Sequence, residues 1–146
     1  MSTISESSSR EGKSRRIRLA VVGAGVIGTI HGAVISELAD QIDLVAVVDL
    51  HPERAEKLAA EHGGMAFTSL TDALEAVDVD VVSICAPNLL HREIGIAAAE
   101  AGKPFWIEKP VGRDAAETAA VAAAARAAGV ATSVGYNYRH APAVER

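Results

Sequence analysis

Short apolar runs alternate with segments of helical periodicity along this sequence, from residue 17 to residue 134. The runs are rich in Val and Ile, which is typical of strands that are buried on both faces. We predict strands at residues 17–22, 42–49, 65–68, 79–87, 104–108 and 130–134. We predict helices at residues 26–40, 51–64, 69–77, 91–102 and 114–129. Strict alternation of this kind predicts an α/β fold, with a doubly wound, mainly parallel sheet covered by helices on both sides.

Composition restricts the class of protein further. A chain of 146 residues with 49% hydrophobic residues can bury the core of one domain. No apolar stretch approaches the roughly 20 residues that a membrane-spanning helix needs, and no apolar segment typical of a secretory signal follows the basic N-terminal residues. The single cysteine, Cys85, excludes an internal disulfide and fits a reducing compartment. We therefore expect a cytoplasmic protein without a membrane partner.

Charge is unevenly distributed along the chain. The formal net charge is −5, yet residues 1–18 carry five basic and two acidic side chains, so the remainder is acidic. An acidic body argues against binding to a phosphate backbone, and we expect no nucleic-acid partner. Residues 1–16 are rich in serine and charge with little to bury, which predicts a disordered polar tail before a folded domain at residues 17–135.

The segment "VVGAGVIGTIHG" at residues 21–32 places three glycines between the first predicted strand and the first predicted helix. In a G-x-G-x-x-G loop at this position, Gly23 permits the turn, Gly25 lets a diphosphate approach, and Gly28 lets the helix lie close to the strand. The helix that begins with Val26 and Ile27 offers free amide groups to an anion. No G-K-S/T follows the glycines, which excludes a P-loop. The motif predicts a dinucleotide site, and the alternative is a purely structural turn.

Asp49 lies about 20 residues after the glycine loop, at the end of the second predicted strand. A carboxylate there accepts hydrogen bonds from an adenosine ribose and repels a 2′-phosphate, which predicts NAD rather than NADP as the cofactor. Arg54 follows closely, and its guanidinium would weaken this preference if it turned toward a phosphate.

Four segments in order carry a resemblance to a known family: the glycine loop, "VDLHPERA", "ICAPNLLHREIGIAAAEAGKPFWIEKP" and "VGYNYRHAP". The chain resembles the N-terminal, NAD(P)-binding Rossmann half of the GFO/IDH/MocA oxidoreductases from residue 17 onward. By this resemblance, Lys109 is the catalytic residue that positions and polarises the substrate hydroxyl or carbonyl. The resemblance also implies cofactor contacts at Ala86, Pro87, Asn88, His91, Glu108, Lys109 and Asn137. No cluster of residues has the spacing of metal ligands.

Members of the family carry a second domain that supplies the substrate pocket and the proton-transfer histidine. The printed sequence stops where that connection starts, so we expect residues 136–146 to be a truncated beginning of the crossover to a missing substrate domain. The expected function is NAD binding, as the cofactor half of an oxidoreductase acting on a sugar, inositol or related polyol. The alternative is a non-catalytic dinucleotide-binding module or sensor, or an inactive fragment. A severed half would expose apolar surface, which predicts self-association.

Overall fold

A computed structural model describes residues 15–141, with the side chain of His140 excepted. The predicted polar tail at residues 1–16 lies almost wholly outside the described residues, as do residues 142–146 of the predicted crossover. Both predictions therefore stay predictions.

Six strands form one sheet of all-parallel pairs, in the order β3-β2-β1-β4-β5-β6. Their bounds are β1 Ile17–Val22, β2 Ile42–Val48, β3 Met65–Phe67, β4 Val81–Ile84, β5 Phe105–Ile107 and β6 Thr132–Val134. The strand order reverses between β1 and β4, so the chain winds to one side and then to the other. This confirms the predicted doubly wound parallel sheet of the Rossmann type.

The fourth strand is shorter than the prediction of residues 79–87. Asp80 precedes it and uses its side chain to accept from the amide of Arg18, 2.9 Å away. Pro87 follows it and has no N–H to donate to a neighbouring strand. The apolar pattern extends beyond the strand because Val79, Cys85 and Ala86 are also buried.

Five α-helices connect the strands within the described part of the chain: α1 Val26–Glu37, α2 Pro52–His62, α3 Leu70–Ala76, α4 His91–Glu100 and α5 Ala115–Ala128. Short 3₁₀ turns occupy Asn88–Leu90 and Asn137–His140. Ser69 and Asp114 cap α3 and α5 by accepting main-chain amide hydrogens. Over residues 15–141 none of these helices has the length and apolar content needed to cross a bilayer.

The core consists of two apolar clusters, which the strands supply through their alternating side chains. Val22, Val82 and Ile107 belong to one cluster with Val121 of α5. Val21 and Val47 belong to the other, with apolar residues of α1 and α2. Neighbouring residues of β1 thus contribute to different clusters, as expected of a sheet covered on both sides.

Helix α1 packs through a different face from the one its apolar spacing indicates. The stripe that predicts the helix is the exposed side: Val26 is 79% exposed, Ile30 53% and Val34 48%. Gly28, Gly32 and Ile35 are the buried residues of α1. The helix is correctly predicted, but its apolar stripe is left uncovered within the described residues.

Close approach explains why glycines face inward on α1. A Cβ at Gly28 would lie 1.9 Å from the carbonyl oxygen of Gly23, and one at Gly32 would lie 2.7 Å from His62 of α2. The helix lies so near the loop and the neighbouring helix that larger side chains are excluded. The apolar stripe is the kind of surface on which the predicted self-association would depend.

Candidate functional site

Main-chain hydrogen bonds continue one residue beyond the strands at the carboxyl edge of the sheet. Amides just past the strand ends donate to the neighbouring strand at 2.7–3.1 Å: Gly23 to Val48, Asp49 to Phe67, Cys85 to Val22, Glu108 to Ile84 and Gly135 to Ile107. These residues are therefore held by the sheet itself, although each begins a loop. This edge carries most of the residues predicted from the sequence to form the site.

Three neighbouring cavities lie along this edge. The Asp49 cavity has a volume of about 360 Å³ and includes the predicted residues Gly23, Asp49, Arg54, Ala86 and Pro87. The helix cavity, of about 460 Å³, includes Gly25, Val26 and again Arg54. The Lys109 cavity, of about 230 Å³, includes Ile27, Ala86, Asn88, His91, Glu108, Lys109 and Asn137. Arg54 joins the first cavity to the second, and Ala86 joins the first to the third.

The three glycines of the loop differ in what requires them. Gly23 has a φ of +100°, and a Cβ there would lie 2.5 Å from the amide nitrogen of Ala86. Gly28 is required by the contact with Gly23 described above. Gly25 has an ordinary φ of −78°, and a Cβ there would meet no atom within 4 Å. The fold therefore needs glycine at positions 23 and 28, whereas position 25 is open.

Gly25 is also the N-cap of α1, and no side chain caps this end of the helix. The first amides of a helix lack partners within it and carry partial positive charge. An open glycine in front of such amides lets an anion approach the main chain directly. The loop thus fits a diphosphate, as the motif predicts.

Asp49 joins the glycine loop to the loop after β2. One carboxylate oxygen accepts from the amide of Ala24 at 2.8 Å, and the other accepts from the amide of His51 at 2.9 Å. A carboxylate offers about four lone-pair sites, so Asp49 retains acceptor capacity toward the cavity that it lines. Its position fits an acceptor for the hydroxyls of a ribose.

Lys109 is exposed at the cavity named after it. Its amide donates to the carboxylate of Glu108 at 3.1 Å. The ammonium and the carboxylate thus belong to adjacent residues that follow β5, where the sheet fixes the amide of Glu108. This arrangement places a hydrogen-bond donor and a negative charge at the same cavity.

Polar side chains also lie beneath Glu108. His31 of α1 has Nδ1 3.0 Å from the Ser83 hydroxyl and Nε2 3.9 Å from a Glu108 carboxylate oxygen. Its ring lies 4.5 Å from the ring of Trp106, centre to centre. Burial lowers the pKa of His31 from its ordinary value, with Glu108 acting in the opposite direction. His31 is therefore a packed, hydrogen-bonded residue under the site.

Cys85 also lies at the Lys109 cavity, and a cysteine thiol can be a nucleophile. Burial raises the pKa of its thiol to about 11, and its sulfur lies 3.5 Å from the Ser83 hydroxyl. The thiolate is the nucleophilic form of cysteine, so this thiol is inert near neutral pH. In the part of the chain that the structure describes, no three His, Cys, Asp or Glu side chains are grouped to hold a metal ion.

His91 is the predicted site residue whose surroundings differ most from the expectation. It is 1% exposed, and both ring nitrogens lie 2.7 Å from main-chain carbonyl oxygens, those of Pro110 and Ala86. Gly28, another predicted contact, lines none of the three cavities and lies against Gly23 and Val21. The remaining predicted residues line at least one cavity.

Several lining residues were not predicted from the sequence. They include Leu50, Thr68, Ser69, Leu70, Thr71, Leu90 and Ile94 in the Asp49 cavity, with Cys85 and Tyr138 in the Lys109 cavity. Most of them follow a strand or lie in the next helical turn at the carboxyl edge. Ligands of open α/β sheets bind outside that edge, so the ends of the predicted strands were the available signal.

Comparison with known proteins identifies similar chains. The family described as "Oxidoreductase family, NAD-binding Rossmann fold" (GFO_IDH_MocA) matches residues 17–136. An inositol 2-dehydrogenase of Rhizobium meliloti is 37% identical over 127 residues, which is 86% of this chain and 38% of that protein. A 4-carboxy-2-hydroxymuconate-6-semialdehyde dehydrogenase of a Sphingobium species is 32% identical, over 86% of this chain and 40% of that protein.

Solved structures that resemble this chain also include proteins in complex with NAD or NADH. GenD2 from gentamicin A biosynthesis, in complex with NAD, superposes with a TM-score of 0.82 at 32% identity, over 89% of this chain and 37% of that one. The WlbA dehydrogenase from Bordetella pertussis, in complex with NADH and UDP-GlcNAcA, gives 0.85 at 30% identity, over 90% and 40%. The chain thus spans about 40% of the length of these relatives.

Proposed function

The chain belongs to the GFO/IDH/MocA oxidoreductase family, and from this we propose that it binds NAD at the carboxyl edge of its sheet. We further propose that it is the cofactor-binding part of an enzyme that transfers a hydride between NAD and a hydroxyl-bearing carbon. The substrate class is a sugar, inositol or related polyol. Relatives named as inositol dehydrogenases and a relative solved with a nucleotide sugar support that class.

One observation carries the proposal of cofactor binding: glycine at position 25 serves neither the backbone conformation nor the packing. Its φ is ordinary, and a Cβ at this position would have no atom within 4 Å. A glycine that the fold does not need, at the uncapped start of a helix, is explained by the close approach of a diphosphate. The amides of Val26 and Ile27 are the donors that we assign to it.

Asp49 is the residue that we assign to the choice between NAD and NADP. At about 4 Å and an effective dielectric constant near 20, a unit negative charge on a 2′-phosphate would be repelled by roughly 4 kcal/mol. Arg54, which lines the same cavity, would offset part of this repulsion. We therefore propose that the chain binds NADH more tightly than NADPH.

Lys109 is the residue that we assign to the substrate. When bound, NAD supplies the hydride acceptor for oxidation of the substrate carbon. The Lys109 ammonium, exposed at its cavity, donates a hydrogen bond to the substrate oxygen and favours the negative charge that develops on it. Glu108 and Asn137 line the same cavity and are assigned to the cofactor.

A fluorescence titration of the chain with NADH tests the proposal. Gly25→Val is expected to fold normally, because a Cβ at this position meets no atom within 4 Å, and to weaken NADH binding at least roughly a hundredfold by blocking the helix amides. Ala127→Val is the matched control, since it introduces the same side chain at an exposed position near the end of α5. It should leave NADH binding unchanged.

Two results would contradict the proposal. One is unchanged NADH affinity in a correctly folded Gly25→Val chain, which would show that no ligand approaches the amides there. The other is tighter binding of NADPH than NADH by the unmodified chain, which would show that Asp49 does not exclude a 2′-phosphate.

A further inference from the structure

We propose that His91 is a positioning residue that fastens two loops of the site together and so fixes the Lys109 cavity. The inference rests on the proposed function, because that cavity is the one assigned to the nicotinamide end of NAD and to the substrate. It replaces direct cofactor contact, the role expected from the sequence, with an action through the main chain.

The two loops extend from neighbouring strands. The loop after β4 contains Ala86, and the loop after β5 contains Lys109 and Pro110. The sheet holds the first residue of each loop, through the amides of Cys85 and Glu108. Beyond those residues the ladder of the sheet stops, so other contacts must set the separation of the loops.

His91 supplies such contacts from the first position of α4. Its Nε2 lies 2.7 Å from the carbonyl oxygen of Ala86, and its Nδ1 lies 2.7 Å from that of Pro110. One ring thus bridges the two loops directly beneath the cavity. Ala86 lines both the Asp49 and the Lys109 cavities, and Pro110 directly follows Lys109 in the chain. A change in the bridge would therefore displace the main chain of both loops beside the Lys109 cavity.

The chemistry of the contacts requires a ring with nitrogen donors. A carbonyl oxygen accepts hydrogen bonds and cannot donate them, so each contact is a hydrogen bond only when the facing ring nitrogen carries a proton. The imidazolium form donates to both carbonyls, and either neutral tautomer donates to one. Phenylalanine keeps an aromatic ring but has no donors, and would leave the buried carbonyl of Ala86 and the carbonyl of Pro110 without this partner.

The burial of His91 argues against direct contact between its ring and a ligand. With 1% of its surface exposed and a carbonyl facing each nitrogen, the ring has no free polar atom to offer to a dinucleotide. Asn88 and Lys109 remain available at the cavity. Loss of His91 should therefore affect mainly the part of a ligand that reaches the Lys109 cavity, which both bridged loops adjoin.

Two ligands of different reach test the inference on the 146-residue chain. NADH extends from the Asp49 cavity to the Lys109 cavity, whereas ADP lacks the nicotinamide half. His91→Phe is expected to weaken NADH binding roughly tenfold and to change ADP binding less than about twofold. His91→Gln, whose side-chain amide keeps N–H donors, should recover part of the NADH affinity.

Val121→Ala is the matched control for lost stability. Val121 is 3% exposed and packs against Gly95 of α4, so its truncation loosens the same helix without touching the bridged carbonyls. A purely structural role for His91 would make His91→Phe resemble Val121→Ala, with equal effects on NADH and ADP, and would overturn the inference. An unmodified chain that binds neither ligand would instead contradict the proposed function.

Nuclear magnetic resonance of the unmodified chain keeps the inference testable if His91→Phe does not fold. A buried ring N–H that donates to a carbonyl exchanges slowly with water, so we expect a ring proton of His91 that is protected and lies near Ala86 or Pro110. Rapid exchange of every ring proton of His91 would show that the bridge does not form, and would overturn the inference.

Discussion

The two edges of the sheet hold their charges in different ways. At the amino edge, charges neutralise one another: Arg18 lies 2.6 Å from Asp78 and 3.0 Å from Asp80, and Arg15 lies 2.7 Å from Asp80. At the carboxyl edge, Asp49 is held by two main-chain amides, and the Lys109 side chain is exposed.

Asp80 and Asp49 show what this difference means. The guanidinium of Arg18 holds the pKa of Asp80 well below its usual range, and that guanidinium, the Arg18 amide and Arg15 together use the acceptor sites of the carboxylate. Asp49 has acceptor sites left and faces a cavity. Charges that are satisfied within the chain stabilise the fold, and charges that are left partly unsatisfied beside open space are available to a ligand. The comparison predicts that changes at the two edges have separable effects on stability and on binding.

The largest effect on the fold is expected from Gly28→Ala. The added methyl group would lie 1.9 Å from the Gly23 carbonyl oxygen, so α1 must move away from β1. We expect the free energy of unfolding to fall by at least about 3 kcal/mol, measured by urea denaturation. Gly25→Ala is the paired control and should leave it nearly unchanged. Equal stability of the two variants would remove the distinction between a structural and a ligand-facing glycine.

Asp80→Asn should lower stability without affecting NADH binding. Loss of the carboxylate leaves Arg18 without its main partner, and we expect a decrease in the free energy of unfolding of about 1–2 kcal/mol near pH 7. Since the pKa of Asp80 is lowered on folding, its contribution is present above the ordinary pKa of 3.8 and is lost as the pH falls below it. The difference between variant and unmodified chain should therefore disappear in acid. A weakened NADH titration at neutral pH would contradict the separation of the edges.

Asp114→Ala tests whether every carboxylate near the carboxyl edge serves a ligand. Asp114 caps α5 by accepting from the amide of Glu117 at 2.8 Å, so its loss should lower the free energy of unfolding by about 1 kcal/mol. NADH affinity should not change, because Asp114 lines none of the three cavities. Weaker NADH binding in this variant, measured by fluorescence, would extend the site to α5.

The smallest effect is the pH dependence contributed by His31. Its pKa is lowered on folding, so the unfolded chain binds a proton more readily as the pH falls below 6.5, and the folded state loses stability there. In His31→Gln this part of the decrease should be absent, which urea denaturation between pH 7.5 and about 5.5 would detect. The same dependence of the free energy of unfolding on pH in both chains would show that burial does not lower the pKa of His31.

The sequence predicts the features that depend on the period of its apolar residues and on the spacing of its motif residues. The alternation of β-branched runs with helices predicts the parallel sheet, and the glycine spacing with Asp49 predicts residues that the structure brings to one edge. It does not predict which side of α1 packs, because the exposed stripe of Val26, Ile30 and Val34 has the same helical period as a buried one. Only the close approach at Gly28 and Gly32 decides that orientation.

His91 shows the same limit for the site. Its position in the chain indicates a loop beside the cofactor, but not whether the ring faces the cavity or the main chain beneath it. That choice depends on the carbonyl of Pro110, which is brought close only by the pairing of β4 with β5. Contacts between distant segments were therefore the part of the site that the sequence could not supply.

The most direct test is an NADH titration of the ¹⁵N-labelled chain, followed residue by residue through the backbone amide signals. We expect large shifts at Gly23–Gly28, Asp49, Ala86, Asn88 and Lys109, with the signals of Arg18 and Asp80 unchanged. Shifts confined to the amino edge, or absent at the glycine loop under saturating NADH, would contradict the assignment of the carboxyl edge to a dinucleotide.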